Sequence, residues 1–261
     1  MLPLLWGAVL GLCTGSFANV FLHRYPRGLS LFWPASRCPQ CQAPIRWRHN
    51  IPVLGWLFLR GRCKDCGCAI PLRYPLVEAA FGLLAVLIVW RFGAEASTWA
   101  YLALFMALLL AALCDWQTQY LYDVITVPLG VLGLGMSAVF PELLGGQWAS
   151  PMAMLGMLAT MLALQGLGRW LAGRDALGGG DVKLMAAAAG FLGWPHAWLA
   201  LLLGSLAGLP LLLLYRRFHG GEWEDPVPFG PALCLGCAWA AWDLLAGGTQ
   251  LLAWLGFGPL H

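Results

Sequence analysis

Apolar runs recur along the chain at 3–22, 76–90, 98–114, 124–140, 151–171, 182–192, 197–215 and 232–255, and they restrict the fold more than any other feature. A segment surrounded by lipid must satisfy its own backbone hydrogen bonds, so runs approaching roughly 20 apolar residues become helices. With 60% hydrophobic residues, 10% charged ones and a mean hydropathy of +0.72, the chain lies outside the range of soluble globular proteins. The expectation is an all-α, polytopic membrane helical bundle of about eight transmembrane helices, solvated by the lipid bilayer. The run at 182–192 is too short to cross comfortably, so it is expected to be tilted, buried among neighbours or partly re-entrant. The first run lacks a basic amino-terminal flank and contains Asn19, which reads as a retained helix and not as a signal peptide.

Orientation follows from the cations, because Lys and Arg in short loops favour the cytoplasmic side. Nine of the fifteen lie between Arg24 and Arg73. With that loop inside and eight crossings, Arg169, Arg174, Lys183, Arg216 and Arg217 also fall inside, and Arg91 alone falls outside. Both termini are then external, and Asp115, Asp123 and Asp181 lie at the cytoplasmic face. The net charge of +3 needs no nucleic-acid partner, since this clustering has a topological cause.

The chain divides into a first transmembrane helix (1–23), a cytoplasmic loop (24–75) and a membrane core (76–261). The loop contains Cys38-Pro39-Gln40-Cys41 and Cys63-Lys64-Asp65-Cys66, separated by twenty-one residues. Four thiolates from two CxxC turns satisfy tetrahedral zinc, and a reducing cytosol favours metal over disulfide. Cys38, Cys41, Cys63 and Cys66 are therefore the expected structural zinc ligands. Cys68 is a spare nearby, and His23 and His49 are alternative ligands. Redox chemistry or free thiols are the competing readings. Cys234 and Cys237 lie inside the last apolar run, where thiols act mainly as small apolar side chains.

Two acids at membrane edges carry the chemistry. Gly178-Gly179-Gly180-Asp181-Val182-Lys183 places a carboxylate on a glycine turn at the mouth of an apolar helix, and Asp115 closes the run at 98–114. Ionisable groups at membrane depth usually mark function. Paired carboxylates hydrolyse a peptide when one activates water and the other, protonated, polarises the carbonyl. Glycines at 178 to 180 let backbone and substrate approach Asp181 without a side-chain barrier. Lys183, in the same active-site turn, could tune the pair or bind substrate; the bland readings are that Asp181 caps its helix, that Asp115 merely ends one, and that Lys183 marks a cytoplasmic helix end. Asp123 is the runner-up acid, and Asp243 is a buried acid with no identified partner. Gly11 and Gly15 read as close helix packing, with Ser16 and Asn19 bonding across that interface. Glu222, Glu224 and Asp225 form an acidic loop.

Gly15-Ser16-Phe17, Asn19-Val20, Arg24, the first CxxC, Asn50-Ile51-Pro52, Arg60-Gly61-Arg62-Cys63, Tyr74-Pro75, Glu78, Asp115, Leu121-Tyr122-Asp123 and Gly178-x-Gly180-Asp181-x-Lys183 together resemble the type IV prepilin peptidases. The chain departs from that pattern at Tyr122, where a proline is common, and at Gly55, where a serine is common. The resemblance implies a bacterial inner-membrane aspartyl protease, with Asp115 and Asp181 as its catalytic acids. Its substrates would be membrane-inserted prepilins and type II secretion pseudopilins, cleaved at the cytoplasmic face behind a short basic leader. Asp123 or the acidic loop would meet that leader. The resemblance further implies methylation of the new amino terminus with S-adenosylmethionine, for which Asn50, Gly61 and Glu78 are the candidate residues. Rival readings are a proton- or cation-coupled transporter, a zinc-ribbon scaffold and a thiol oxidoreductase. The first would need broken inverted repeats, the second leaves the glycine turn unexplained, and the third needs an oxidising compartment.

Overall fold

The computed structural model describes residues 1–173, 177–219 and 227–247 and divides into two compact units, Met1–Leu102 and Ala103–His261. Arg174, Glu222, Glu224, Asp225 and the end of the run expected at 232–255 lie outside the described residues.

In the first unit α1 (Leu2–Arg24) packs along α3 (Arg73–Phe92). Small residues make that approach possible: a Cβ on Gly15 would come within 2.8 Å of Glu78 Cα, and one on Gly11 within 2.8 Å of Ala85 Cβ. Without a hydrophobic gradient between lipid and protein, such close backbone contact is what holds membrane helices together. Asn19, buried on α1, donates its Nδ2 to Tyr74 O at 3.0 Å, fixing the end of α1 to the start of α3. The intervening loop carries only the short helix α2 (Leu54–Phe58), two 3₁₀ turns, and isolated bridges pairing Arg37 with Pro44 and Arg62 with Ala69.

Helix α4 (Ala96–Thr118) runs into the second unit, which continues with α5 (Asp123–Val139), the short α6 (Pro141–Leu144), α7 (Ala149–Ala172), α8 (Gly179–His219) and α9 (Gly230–Leu245). Helix α8 is the hub and packs on α5, α7 and α9. It is broken at Gly193, whose φ of 67° and ψ of 175° are open to glycine and strained for other residues. The limb before this break is roughly 21 Å long at 1.5 Å per residue, short of a hydrocarbon core of about 30 Å. Its residues Val182, Leu184, Met185, Phe191 and Leu192 are buried, so of the three expectations for the short run it is burial among neighbours that the second unit displays. Leucines and valines such as Val131, Leu155, Leu162 and Leu209 project outward and remain exposed.

Among the described residues, five helical stretches are long and apolar enough to cross a bilayer, and Asp123–Val139 and Gly230–Leu245 are shorter apolar helices. Among the described residues no strand is present. The protein is an all-helical membrane protein.

Candidate functional site: two carboxylates and a thiol cluster

Asp115 sits in the last turn of α4, where the negative end of the helix dipole disfavours an anion, and it is buried. A buried carboxylate needs hydrogen bonds. It receives one from the backbone N–H of Gly230, which meets Oδ2 at 2.9 Å from the first turn of α9. Cys234, buried one turn further along α9, lies within the fields of both Asp115 and Asp181.

Asp181 occupies the first turn of α8, and its carboxylate bonds the Gly178 backbone just outside the helix. An acid reaching back to the residue before its own helix is the logic of a capping box. The capping role is therefore real, and it fixes the side chain without excluding chemistry. Asp115 stands close enough for its charge to act on Asp181. The turn must be glycine-rich for a steric reason as well: a Cβ on Gly180 would fall 2.7 Å from Leu121 Cβ, in the segment that joins α4 to α5. That contact holds the mouth of α8 against the segment following Asp115. A Cβ on Gly179 would meet open space.

Lys183 and Asp123 find each other. Lys183 Nζ lies 2.7 Å from Asp123 Oδ1 and 2.9 Å from Oδ2, with both side chains more than half exposed. Asp123 is the first residue of α5, at the rim of the carboxylate site. Asp243 also gains a partner: its Oδ2 lies 3.4 Å from His196 Nε2, a pairing between α9 and the limb of α8 after Gly193.

In the first unit, one ligand atom from each of Cys38, Cys41, Cys63 and Cys66 lies within 4.8 Å of the others. Cys38 and Cys66 are 3.8 Å apart at sulfur, the separation expected of two thiolates each about 2.3 Å from one tetrahedral zinc. The backbone builds two matching turns for them. Gln42 N–H returns to Cys38 O and Cys38 N–H to Ala43 O; Gly67 N–H returns to Cys63 O and Cys63 N–H to Cys68 O. The residue after each pair, Gln42 or Gly67, takes a positive φ. The backbone N–H groups of Cys41 and Gln40 hold the Cys38 thiol down to about 6, and that of Cys68 lowers Cys66, so both favour the thiolate a metal binds. The residues fit zinc. Cys68 Sγ comes within 3.4 Å of Cys38 Sγ, while His23 and His49 stay outside the cluster.

Beside this cluster lies a cavity of about 580 Å³, bounded by α1, the cysteine turns and the start of α3. Asn50 and Glu78 line it; Gly61 does not, but supports a residue that does, since a Cβ there would strike the Trp56 ring at 2.7 Å. Glu78 Oε2 accepts the Val53 N–H at 2.7 Å. Asn19 also lines the cavity, and its buried Oδ1 has no hydrogen-bond partner among the described residues. The part played by Asn19 was missed from sequence, where it read as an interhelical bond alone.

Both halves match known families. Residues 9–92 match the bacterial Peptidase A24 N-terminal domain, and residues 102–213 match the type IV leader peptidase family. The chain is 36% identical over 270 residues to the prepilin leader peptidase/N-methyltransferase of Stutzerimonas stutzeri, covering 94% of this chain and 91% of that one. The chain belongs to the type IV leader peptidase family. The prepilin leader peptidase/N-methyltransferase of Klebsiella pneumoniae is 43% identical, with 78% of this chain and 93% of the relative aligned, and that of Pseudomonas aeruginosa is 35% identical, with 93% and 90%. No solved structure matches. The leader peptidase match contains both Asp115 and Asp181, whereas Gly230 lies beyond its end.

Proposed function

We propose that the protein is an aspartyl endopeptidase that removes the basic leader of membrane-inserted type IV prepilins and type II secretion pseudopilins at the cytoplasmic face of the bacterial inner membrane, with Asp115 and Asp181 as its catalytic pair. The observation carrying this reading is that the charge of Asp115 acts on Asp181 although the two stand sixty-six positions apart in sequence, each at the end of an apolar helix. Two such acids share one proton more readily than both ionise. The ionised member takes a proton from water as its oxygen bonds the scissile carbonyl carbon, and the protonated member gives its proton to the carbonyl oxygen. On collapse the acid that took the water proton gives it to the leaving nitrogen, the other acid takes back a proton from a hydroxyl of the diol, and the carbon–nitrogen bond breaks.

The hydrophobic segment of the substrate stays in the bilayer while its leader remains cytoplasmic, which puts the scissile bond at the height of the helix ends that carry the acids. The eight-crossing arrangement with external termini expected from the sequence would supply that geometry. The exposed Asp123–Lys183 pair at the rim fits a leader-facing surface better than a role in the dyad, because its acid is already paired.

The first unit is assigned the second activity, methylation of the new amino terminus. Its cavity lies within the ~300–1,000 Å³ common for small-ligand sites, and the unpartnered Asn19 Oδ1 with the Glu78 carboxylate gives polar groups suited to the cationic S-adenosylmethionine, which supplies the methyl group. Zinc on the four cysteines would stiffen the wall of that cavity. Incubating the purified protein with a prepilin, then with labelled S-adenosylmethionine, and following the product by mass spectrometry tests both halves. Loss of the leader and gain of one methyl group are expected; an intact prepilin removes the protease reading.

A further inference from the structure

We propose that Gly230, beyond the residues that match the leader peptidase family, is the positioning residue of Asp115, and the proposal rests on the reading of Asp115 as a catalytic acid. Helix α9 enters its first turn at Gly230, directly after Phe229, with Pro231 behind it. Proline in the first turn of a helix has a preset φ and no N–H of its own, so it leaves the donor role there to its neighbours. The Gly230 amide is one of the free N–H groups of that helix end, and it meets Asp115 Oδ2 at 2.9 Å.

The approach is close enough to exclude any side chain. A Cβ at 230 would lie 2.7 Å from Asp115 Oδ2, 2.9 Å from Cγ and 3.1 Å from Cβ. Phe229 in turn is seated on α8, where a Cβ on Gly208 would meet its ring at 2.6 Å. Gly230 is buried, so water does not replace its N–H. A single amide, anchored by the aromatic residue before it, thus sets where one carboxylate oxygen stands and leaves Oδ1 for water. Among the described residues, the titratable groups on which the charge of Asp115 acts are Asp181 from α8, Cys234 from α9 and Cys114 on its own helix. None is a cation, so the amide and the helix end behind it are the positive potential available to Asp115 among these groups.

The test compares purified wild type with Gly230→Ala for prepilin cleavage across pH, and measures thermal stability in an Asp115→Ala, Gly230→Ala double-mutant cycle. Cleavage by Gly230→Ala is expected to fall about a hundredfold, the scale set by an ångström of misplacement. The acid limb of its residual activity is expected at higher pH, because the ionised carboxylate has lost its donor. The loss of melting temperature caused by Gly230→Ala is expected to shrink when Asp115→Ala removes the atoms it strikes. If Gly230→Ala does not fold, the double variant is still expected to fold, and its failure would overturn the proposal. Wild-type cleavage and an unchanged pH profile in Gly230→Ala would overturn it too. Retained cleavage in Asp115→Asn instead removes the underlying reading, whatever Gly230→Ala does.

Discussion

Asp181 is held by the chain beside it, through the contact of Gly180 with Leu121, whereas Asp115 is held by the distant Gly230 amide. Three glycines before an acid at a helix mouth announce Asp181, and the structure adds the reason for Gly180, which is contact with Leu121. Asp115 looks like any acid ending a helix until Gly230, 115 positions later, is brought onto it. Short-range patterns reveal turns, but not which backbone amide a tertiary fold will aim at a carboxylate. The Phe229-Gly230-Pro231 step was the available signal, a glycine and a proline together at the head of an apolar run. Asp123 is separated from the dyad by its partner. An exposed ion pair such as Asp123 with Lys183 contributes about 0–1 kcal/mol, so Asp123→Asn is expected to fold normally and to keep cleavage within a few-fold of wild type. A dead but folded Asp123→Asn, beside an active Asp115→Asn, would move the assignment to Asp123.

At the scale of elements, the two cysteine turns were legible because their ligands are local. Each CxxC dictates its own turn, and only the pairing of the two turns requires the fold. The break in α8 was half legible: separate runs at 182–192 and 197–215 were evident, but a helix that bends at Gly193 and stays buried on its first limb depends on packing that hydropathy does not encode. The cysteine element makes a prediction of its own. Metal analysis of purified protein is expected to find about one zinc per chain, as a single four-thiolate site requires. Cys63→Ser or a strong chelator is expected to lower the melting temperature and to impair methyl transfer before cleavage, since the cysteine turns wall the first-unit cavity and the carboxylates belong to the other unit. Zinc-free protein with all four thiols reduced and ordered would contradict this account.

Across the whole molecule, charge and hydropathy give an orientation that can be checked directly. Alkaline phosphatase fused after Gly93 or Gly146 is expected to be active, and fused within the cysteine loop inactive, because the former loops fall outside and the latter inside. Active fusions in the cysteine loop would reverse the topology and place the acids on the wrong face for a cytoplasmic leader. Length and composition alone foretold a helical membrane protein, yet they were silent about its division into two compact units, which follows from how contacts close along the chain. On the proposed function cleavage depends on that closure, since Asp115 and Asp181 come from helices α4 and α8. The most direct measurement is therefore the rate of prepilin cleavage by purified, folded Asp115→Asn, Asp181→Asn and the double variant. The account predicts that each single change removes nearly all activity and that the double is scarcely worse, as for groups acting as one catalytic unit. Substantial cleavage by either single variant, or losses that multiply in the double, would contradict it.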